Sequence, residues 1–161
     1  MRYLALLLLL PVLSCGPKGS KSDKNADEKT IPGLTATFLH DPFAKKGFSL
    51  EKSTVESHAV WTSKSRNESN EFKVVSTGLE SGEVISVQAS VVSMLTLDQA
   101  ARDFFGEVAS VQFQHADPQK AKEWVLTHFD GGGQTVIGDM NYQVQVNNET
   151  SRTLKISVPE E

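Results

Sequence analysis

Residues 83–92 read "EVISVQASVV" and residues 96–113 read "TLDQAARDFFGEVASVQF", and the change of period between the two decides the fold. In the first stretch Ile85, Val87, Ala89 and Val91 fall on one face and Ser86, Gln88 and Ser90 on the other, the alternation of a strand with one buried side. In the second, Leu97, Ala101, Phe104, Phe105, Val108 and Val111 recur at helical spacing, and Thr96 with Gln99 fits a capping box. The chain therefore passes from sheet to amphipathic helix within a few residues.

A second helix is expected next. Asp117 supplies an N-cap, Pro118 suits the first helical position, and Ala121, Trp124, Val125, His128 and Phe129 form one stripe, with Trp124 in the core. Asp130-Gly131-Gly132-Gly133 ends it, because glycine readily takes the backbone conformation of a helix stop. Strand alternation resumes in "QTVIGDMNYQVQVN" (134–147). Val136, Met140, Tyr142, Val144 and Val146 share a face with Gly138, opposite Thr135, Asp139, Asn141, Gln143 and Gln145. Leu154, Ile156 and Val158 repeat the pattern after a turn around Asn147 to Ser151, so the last two strands should pair antiparallel.

Upstream, Phe48 to Glu51, Ala59 to Ser63 and Phe72 to Thr77 read as shorter strands, and Asp41-Pro42 starts a short helical turn. Strands that alternate call for an antiparallel sheet with one face packed and the other wet. The expected fold class is thus α+β: a single domain with an antiparallel sheet of about six strands and two amphipathic helices on one face, ordered four strands, two helices, two strands.

The first thirty residues belong to another regime. Arg2, the apolar run Leu4 to Leu13 and Ser14 make the pattern of a secretory signal; the run is about half of the roughly 20 residues a spanning helix needs, and Pro11 interrupts it. At its end Val12-Leu13-Ser14-Cys15-Gly16 resembles the lipobox of bacterial lipoproteins, with Val and Leu in place of the commoner residues at two positions. The resemblance implies a diacylglyceryl group on the thiol of Cys15, cleavage before it, and a membrane held by acyl chains. It also implies an outer-membrane location facing the periplasm, since Gly16 is not the Asp that retains enteric lipoproteins in the inner membrane. Residues 1–14 are then a signal peptide, 15–30 the lipidated cysteine and a flexible linker, and 31–161 the globular domain. The linker "GPKGSKSDKNADEKT" holds no large apolar residue. It would span about 20 Å as a coil and at most about 50 Å extended.

Composition removes several function classes. The full chain carries 16 Lys plus Arg against 20 Asp plus Glu. Removal of residues 1–14 takes Arg2 and no acid, leaving 15 against 20, so no basic stripe is available for a nucleic acid. Cys15 is the only cysteine, and neither a disulfide nor a thiolate metal site can form once it is lipidated. His40, His58, His115 and His128 show no metal-ligand spacing, no nucleophile motif surrounds any serine, and the DGGG stretch lacks the Lys-Ser/Thr of a phosphate loop. No catalytic residue, cofactor or metal is assigned. Asn67-Glu68-Ser69 and Asn148-Glu149-Thr150 mark exposed turns.

What remains is a surface. If the helices cover one face, the other carries Asp139, Asn141, Gln143 and Gln145, with Thr153, Lys155 and Ser157 beside them and Ser86, Gln88 and Ser90 extending the same face. Rich in amides and hydroxyls and poor in charge, it can hydrogen-bond a peptide or glycan at modest desolvation cost. Asp139, Asn141, Gln143, Gln145 and Lys155 are the candidate binding residues. The expected function is a lipid-anchored extracytoplasmic protein with a binding or structural domain, its partner an envelope protein or glycan; the alternative is an envelope hydrolase with an acid-base pair.

Overall fold

The computed structural model describes residues 28–160; the expected signal peptide, Cys15 and all but the last residues of the linker lie outside them. The elements run α1 (Ala36–Lys45), β1 (Ser49–Val55), β2 (His58–Arg66), β3 (Asn70–Gly78), β4 (Val84–Ser93), α2 (Gln99–Ala109), α3 (Pro118–Thr127), β5 (Gly133–Ile137), β6 (Met140–Asn148) and β7 (Ser151–Ser157). The fold is α+β, with one antiparallel sheet of seven strands in the order β1-β2-β3-β4-β7-β6-β5. Four strands form a meander. The chain then crosses beneath the sheet through α2 and α3, re-emerges at the far edge, and returns strand by strand until β7 pairs with β4.

The helices lie on one face only. Ala101, Phe104, Phe105, Val108 and Ala109 of α2 are buried against inward side chains that include Phe72, Val74, Ala89, Val91, Tyr142, Val144, Leu154 and Ile156. A line of phenylalanine rings links these layers. Phe104 lies 6.1 Å from Phe43 of α1, 6.1 Å from Phe48 and 5.1 Å from Phe72, while Phe105 meets Phe129 edge-on at 5.3 Å. Such ring pairs add about 0.5–1.5 kcal/mol each beyond the area they bury.

Several details differ from the sequence reading. The sheet has seven strands because "QTVIGDMNYQVQVN" folds back on itself: Gly138 and Asp139 form a two-residue hairpin turn, and Ile137 pairs with Met140. The break shifts the alternation, so Ile137 is buried and Val136 points to the open face, 56% exposed. In β4 the register shifts opposite Thr77 and Gly78, which sends Val84 into the core and leaves Ile85 half-buried. The helical turn expected at Asp41-Pro42 is a full helix, α1, which starts at the N-cap Thr35 and carries Pro42 inside it. Helix α2 is capped by Asp98 rather than Thr96, its carboxylate accepting from Ala101 N–H at 3.0 Å. Asp117 caps α3 as expected, whereas Trp124 is half-buried at the margin of the core and stacks on His128 at 4.3 Å.

One buried polar group ties α1 to the sheet. His40 is 0% exposed, and its ring nitrogens hydrogen-bond Ser63 Oγ of β2 and Ser76 Oγ of β3, each at 2.8 Å. Burial lowers its pKa from 6.5 to about 4. Between those values the unfolded chain binds a proton that the folded chain does not. The contribution is therefore complete above pH 6.5 and is lost as pH falls toward 4, at about 1.4 kcal/mol per unit. Urea unfolding at pH 7.5 and pH 5.0 should accordingly show a loss of about 2 kcal/mol for the wild type that is missing from His40→Asn. Equal losses in the two proteins would remove His40 as the cause.

Candidate functional site

Among the described residues, no helix or strand covers the face turned away from the helices. Six inter-strand spacings of about 4.8 Å make it about 29 Å wide. Its side chains stand in rows that cross the strands, because opposed residues of an antiparallel pair share a face. One row runs Glu51, Thr62, Val75, Gln88, Lys155, Gln143, Gln134. A second runs Ser49, Lys64, Lys73, Ser90, Thr153, Gln145, and a third Ser53, Val60, Thr77, Ser86, Ser157, Asn141, Val136. Over β4, β7 and β6 these rows are almost wholly hydroxyls and amides, with Lys155 the lone charge among them. Gln145 Nε2 donates to Gln143 Oε1 at 3.1 Å, and Asn147 Nδ2 donates to Thr153 Oγ1 at 2.9 Å, so part of the surface is already ordered.

Four of the five candidate residues, Asn141, Gln143, Gln145 and Lys155, are brought together here. Asp139 is not among them. It occupies the β5–β6 turn, exposed, with its carboxylate 3.9 Å from His115 Nδ1. The same two-residue turn that moved Val136 removes Asp139 from the face, and it requires a glycine. Gly138 has φ +61, and a Cβ there would stand 2.1 Å from the carbonyl oxygen of His115.

At the edge of this face nearest the start of β4, the C-terminal residues Val158, Pro159 and Glu160 rise beside the sheet with a cleft on either side. One, of about 420 Å³, is lined by Lys29, Ile85, Ser86 and Ser157; the other, of about 440 Å³, by Gln134, Val136, Asn141 and Ser157. Asn141 Oδ1 is buried and accepts no hydrogen bond. Sequence reasoning placed Asn141 on the surface but could not find the cleft, one wall of which is the tail that follows β7. A further groove of about 390 Å³ lies between α1 and the end of α2, lined by Phe38, Pro42, Lys45, Glu107, Val111 and neighbours; it is more apolar.

The histidines are engaged elsewhere. His40 is sealed beneath α1, His58 pairs with Glu28, and His128 sits at the end of α3 with Nδ1 2.9 Å from Trp124 O. Asp130 pairs with Arg102 rather than with His128. Ser63 and Ser76 have the hydroxyl-imidazole contact of an activated serine, but both are 0% exposed, and both His40 ring nitrogens are taken up by these serines, with no carboxylate hydrogen-bonded to the ring among the described residues. Tyr142, also fully buried, has its phenol pushed up to about 12 by burial and by the nearby Asp117 charge, and so stays neutral. Among the described residues no cluster of three or more His, Cys, Asp or Glu is placed to hold a metal ion.

No family model matches the chain, and neither a curated protein nor a solved structure matches it.

Because the hairpin at Gly138 sets the register of β5 and β6, Gly138→Ala should disturb the face while Gly47→Ala disturbs little. Both glycines have positive φ, but Gly47 has nothing within 4 Å of an added Cβ. Thermal melts should show a loss of about 1 kcal/mol for Gly47→Ala and clearly more for Gly138→Ala. Equal losses would mean that the approach of His115 does not constrain the turn.

Proposed function

We propose that the protein is a lipid-anchored extracytoplasmic lipoprotein, held at the outer membrane facing the periplasm, whose α+β domain binds an extended polar partner on its open sheet face. The partner is an envelope protein or a glycan. One observation carries the binding half of this reading: a seven-stranded sheet is left without a second layer, and its uncovered centre is built from amides and hydroxyls. An ordinary solvated face gains solubility from mixed charges. Here, among the described residues, the ion pair across the open face lies at its edge, between Lys64 and Glu51. Uncharged donors and acceptors exchange water for partner hydrogen bonds at lower cost than ions do.

The anchoring half rests on the lipobox resemblance around Cys15. The chemistry is additive: one acyl chain binds a bilayer marginally, while two or more, at about 0.8 kcal/mol per buried CH₂, hold it stably. The domain surface then has no need to bind lipid. Mass spectrometry of the mature N-terminus is expected to find an acylated Cys15, and Cys15→Ser to release an unlipidated or uncleaved protein. A bare thiol at Cys15 in the native protein would sink the anchor.

For the face, Gln143→Arg/Gln145→Arg should abolish capture of the partner recovered with the intact protein from its own envelope, with stability changed by no more than about 0.5 kcal/mol per site. Undiminished capture by that variant would rule the face out.

A further inference from the structure

We infer that the end of the domain formed by the β2–β3 turn, the β4–α2 loop and the β6–β7 turn docks a cationic, leucine-bearing segment of a partner protein. The inference goes beyond the open-face reading, since it uses none of the central amides. Val92, Met94 and Leu95 stand there 51%, 62% and 79% exposed, three apolar residues within four positions of the chain. Their neighbours Ser93 and Leu97 are turned inward, Ser93 buried and Leu97 packed on the core. Fraying does not account for the exposure, because the loop is stitched on both sides. Met94 N–H donates to Ser69 O at 2.9 Å, Ser93 N–H to Thr150 O at 2.8 Å, and Ser93 Oγ to Thr96 O at 2.7 Å. A fixed backbone thus holds Met94 and Leu95 in water, and contiguous apolar side chains kept there mark a contact surface. Beside them a cleft of about 130 Å³, lined by Ser69, Val92 and Met94 among others, has room for one aliphatic side chain.

The rim chooses the partner. Glu68, Glu71 and Glu149 are exposed and form no ion pair among the described residues, and Asp98 adds a fourth carboxylate, hydrogen-bonded to Asn70 and Ala101. Glu71 stands opposite Val92 in the β3–β4 register, Glu68 precedes the Ser69 that holds Met94, and Glu149 precedes the Thr150 that holds Ser93. Against these acids, Arg66 is the cation lining the same cleft. Lys73 stands one row further in, opposite Ser90, and Arg152 is held by carbonyls on the helix side. Excess negative charge around an apolar centre favours a partner in which Lys or Arg flanks Leu, and it repels an anionic bilayer. The position agrees. Ile31 N–H meets Val84 O at the start of β4, and the ten residues of that strand carry the chain about 30 Å further, so this end lies far from where the preceding residues join the domain. Residues 16–27 hold no large apolar side chain and cannot fill the patch themselves.

The test uses full-length protein in phosphatidylcholine bicelles, isotopically labelled at the methionine methyl groups. NMR follows Met94, with Met140, 1% exposed, as the internal reference. The probe is the peptide acetyl-Lys-Leu-Leu-Arg-Leu-Lys-amide; one control replaces its cations by Glu and a second replaces each Leu by Ser. A saturable shift of Met94 without one of Met140 is expected, half-complete below about 1 mM, with both controls at least about tenfold weaker. Leu95→Ser should weaken the response about tenfold, and Glu68→Gln/Glu71→Gln should do the same at low salt while flattening its salt dependence. Gln143→Arg/Gln145→Arg should leave it nearly unchanged, so that this end and the open face stand or fall separately. No saturation below about 10 mM, an equal response to either control, or indifference to both sets of substitutions overturns the inference. So does a Met94 shift without peptide: one produced by adding phosphatidylglycerol to the bicelles would make a bilayer the occupant, and one that grows with protein concentration a second copy of the chain.

Discussion

Phe104 and Phe105 sit side by side on α2 and face in different directions along the core. Phe104 gathers Phe43, Phe48 and Phe72 from the α1 side of the molecule, and Phe105 reaches Phe129 at the end of α3. The three helices spread across the sheet, α1 over β1 to β3, α2 over β3 and β4, α3 over β6. Helices α2 and α3 also pack directly on each other, and the phenylalanine line joins that pair to α1. With it, one continuous apolar layer underlies the whole width of the sheet, and β7 can return to pair with β4 over a finished core. The open face depends on this arrangement: all the covering is done from one side, which leaves the other free.

The far end of that layer is closed by an unusual pair. Two guanidinium groups stand over the Phe129 ring, Arg102 at 4.8 Å and Arg152 at 5.8 Å from its centre. Arg152 is nearly buried and has no carboxylate partner among the described residues; it donates to the carbonyl oxygens of Phe129, Asn148 and Ser151. Its charge is carried by carbonyl dipoles and the ring face, which fixes the end of α3 against the β6–β7 turn. Arginine is suited to this because its planar donors can serve several carbonyls at once.

The legible parts of this structure were those governed by local period. Alternation in β4, β6 and β7 and the 3.6-residue stripe of α2 follow from residues within one element, and with them the placement of Asn141, Gln143, Gln145 and Lys155 on one face. What escaped was set by contacts between elements or by a single-residue offset. In α1, Pro42 reads as a helix start, yet Leu39, His40 and Phe43 are buried by strands far away in sequence, and that burial outweighs the missing N–H. At Gly138 and Asp139 the apolar alternation runs through a turn without a visible break, since glycine is silent in a hydrophobic pattern; the cost was the wrong face for Val136 and the wrong place for Asp139. The extra residue opposite Gly78 is likewise invisible in β4 alone, because it answers the backbone of its neighbour. The cleft beside Asn141 depends on where the tail lies, which no period encodes.

The way the chain enters the sheet also decides how the domain bears force. Ile31 N–H donates to Val84 O at 2.6 Å and Val84 N–H to Leu34 O at 3.1 Å, so the N-terminal segment is stitched to β4, an interior strand. A pull on that segment, resisted by something held on β6 and β7, is passed from β4 to β7 along the length of their pairing. The hydrogen bonds between those strands are then loaded together in shear instead of being opened one after another, as they would be if the chain entered at β1 or β5. A domain strung in this way can stay folded under tension that would unzip it from an edge.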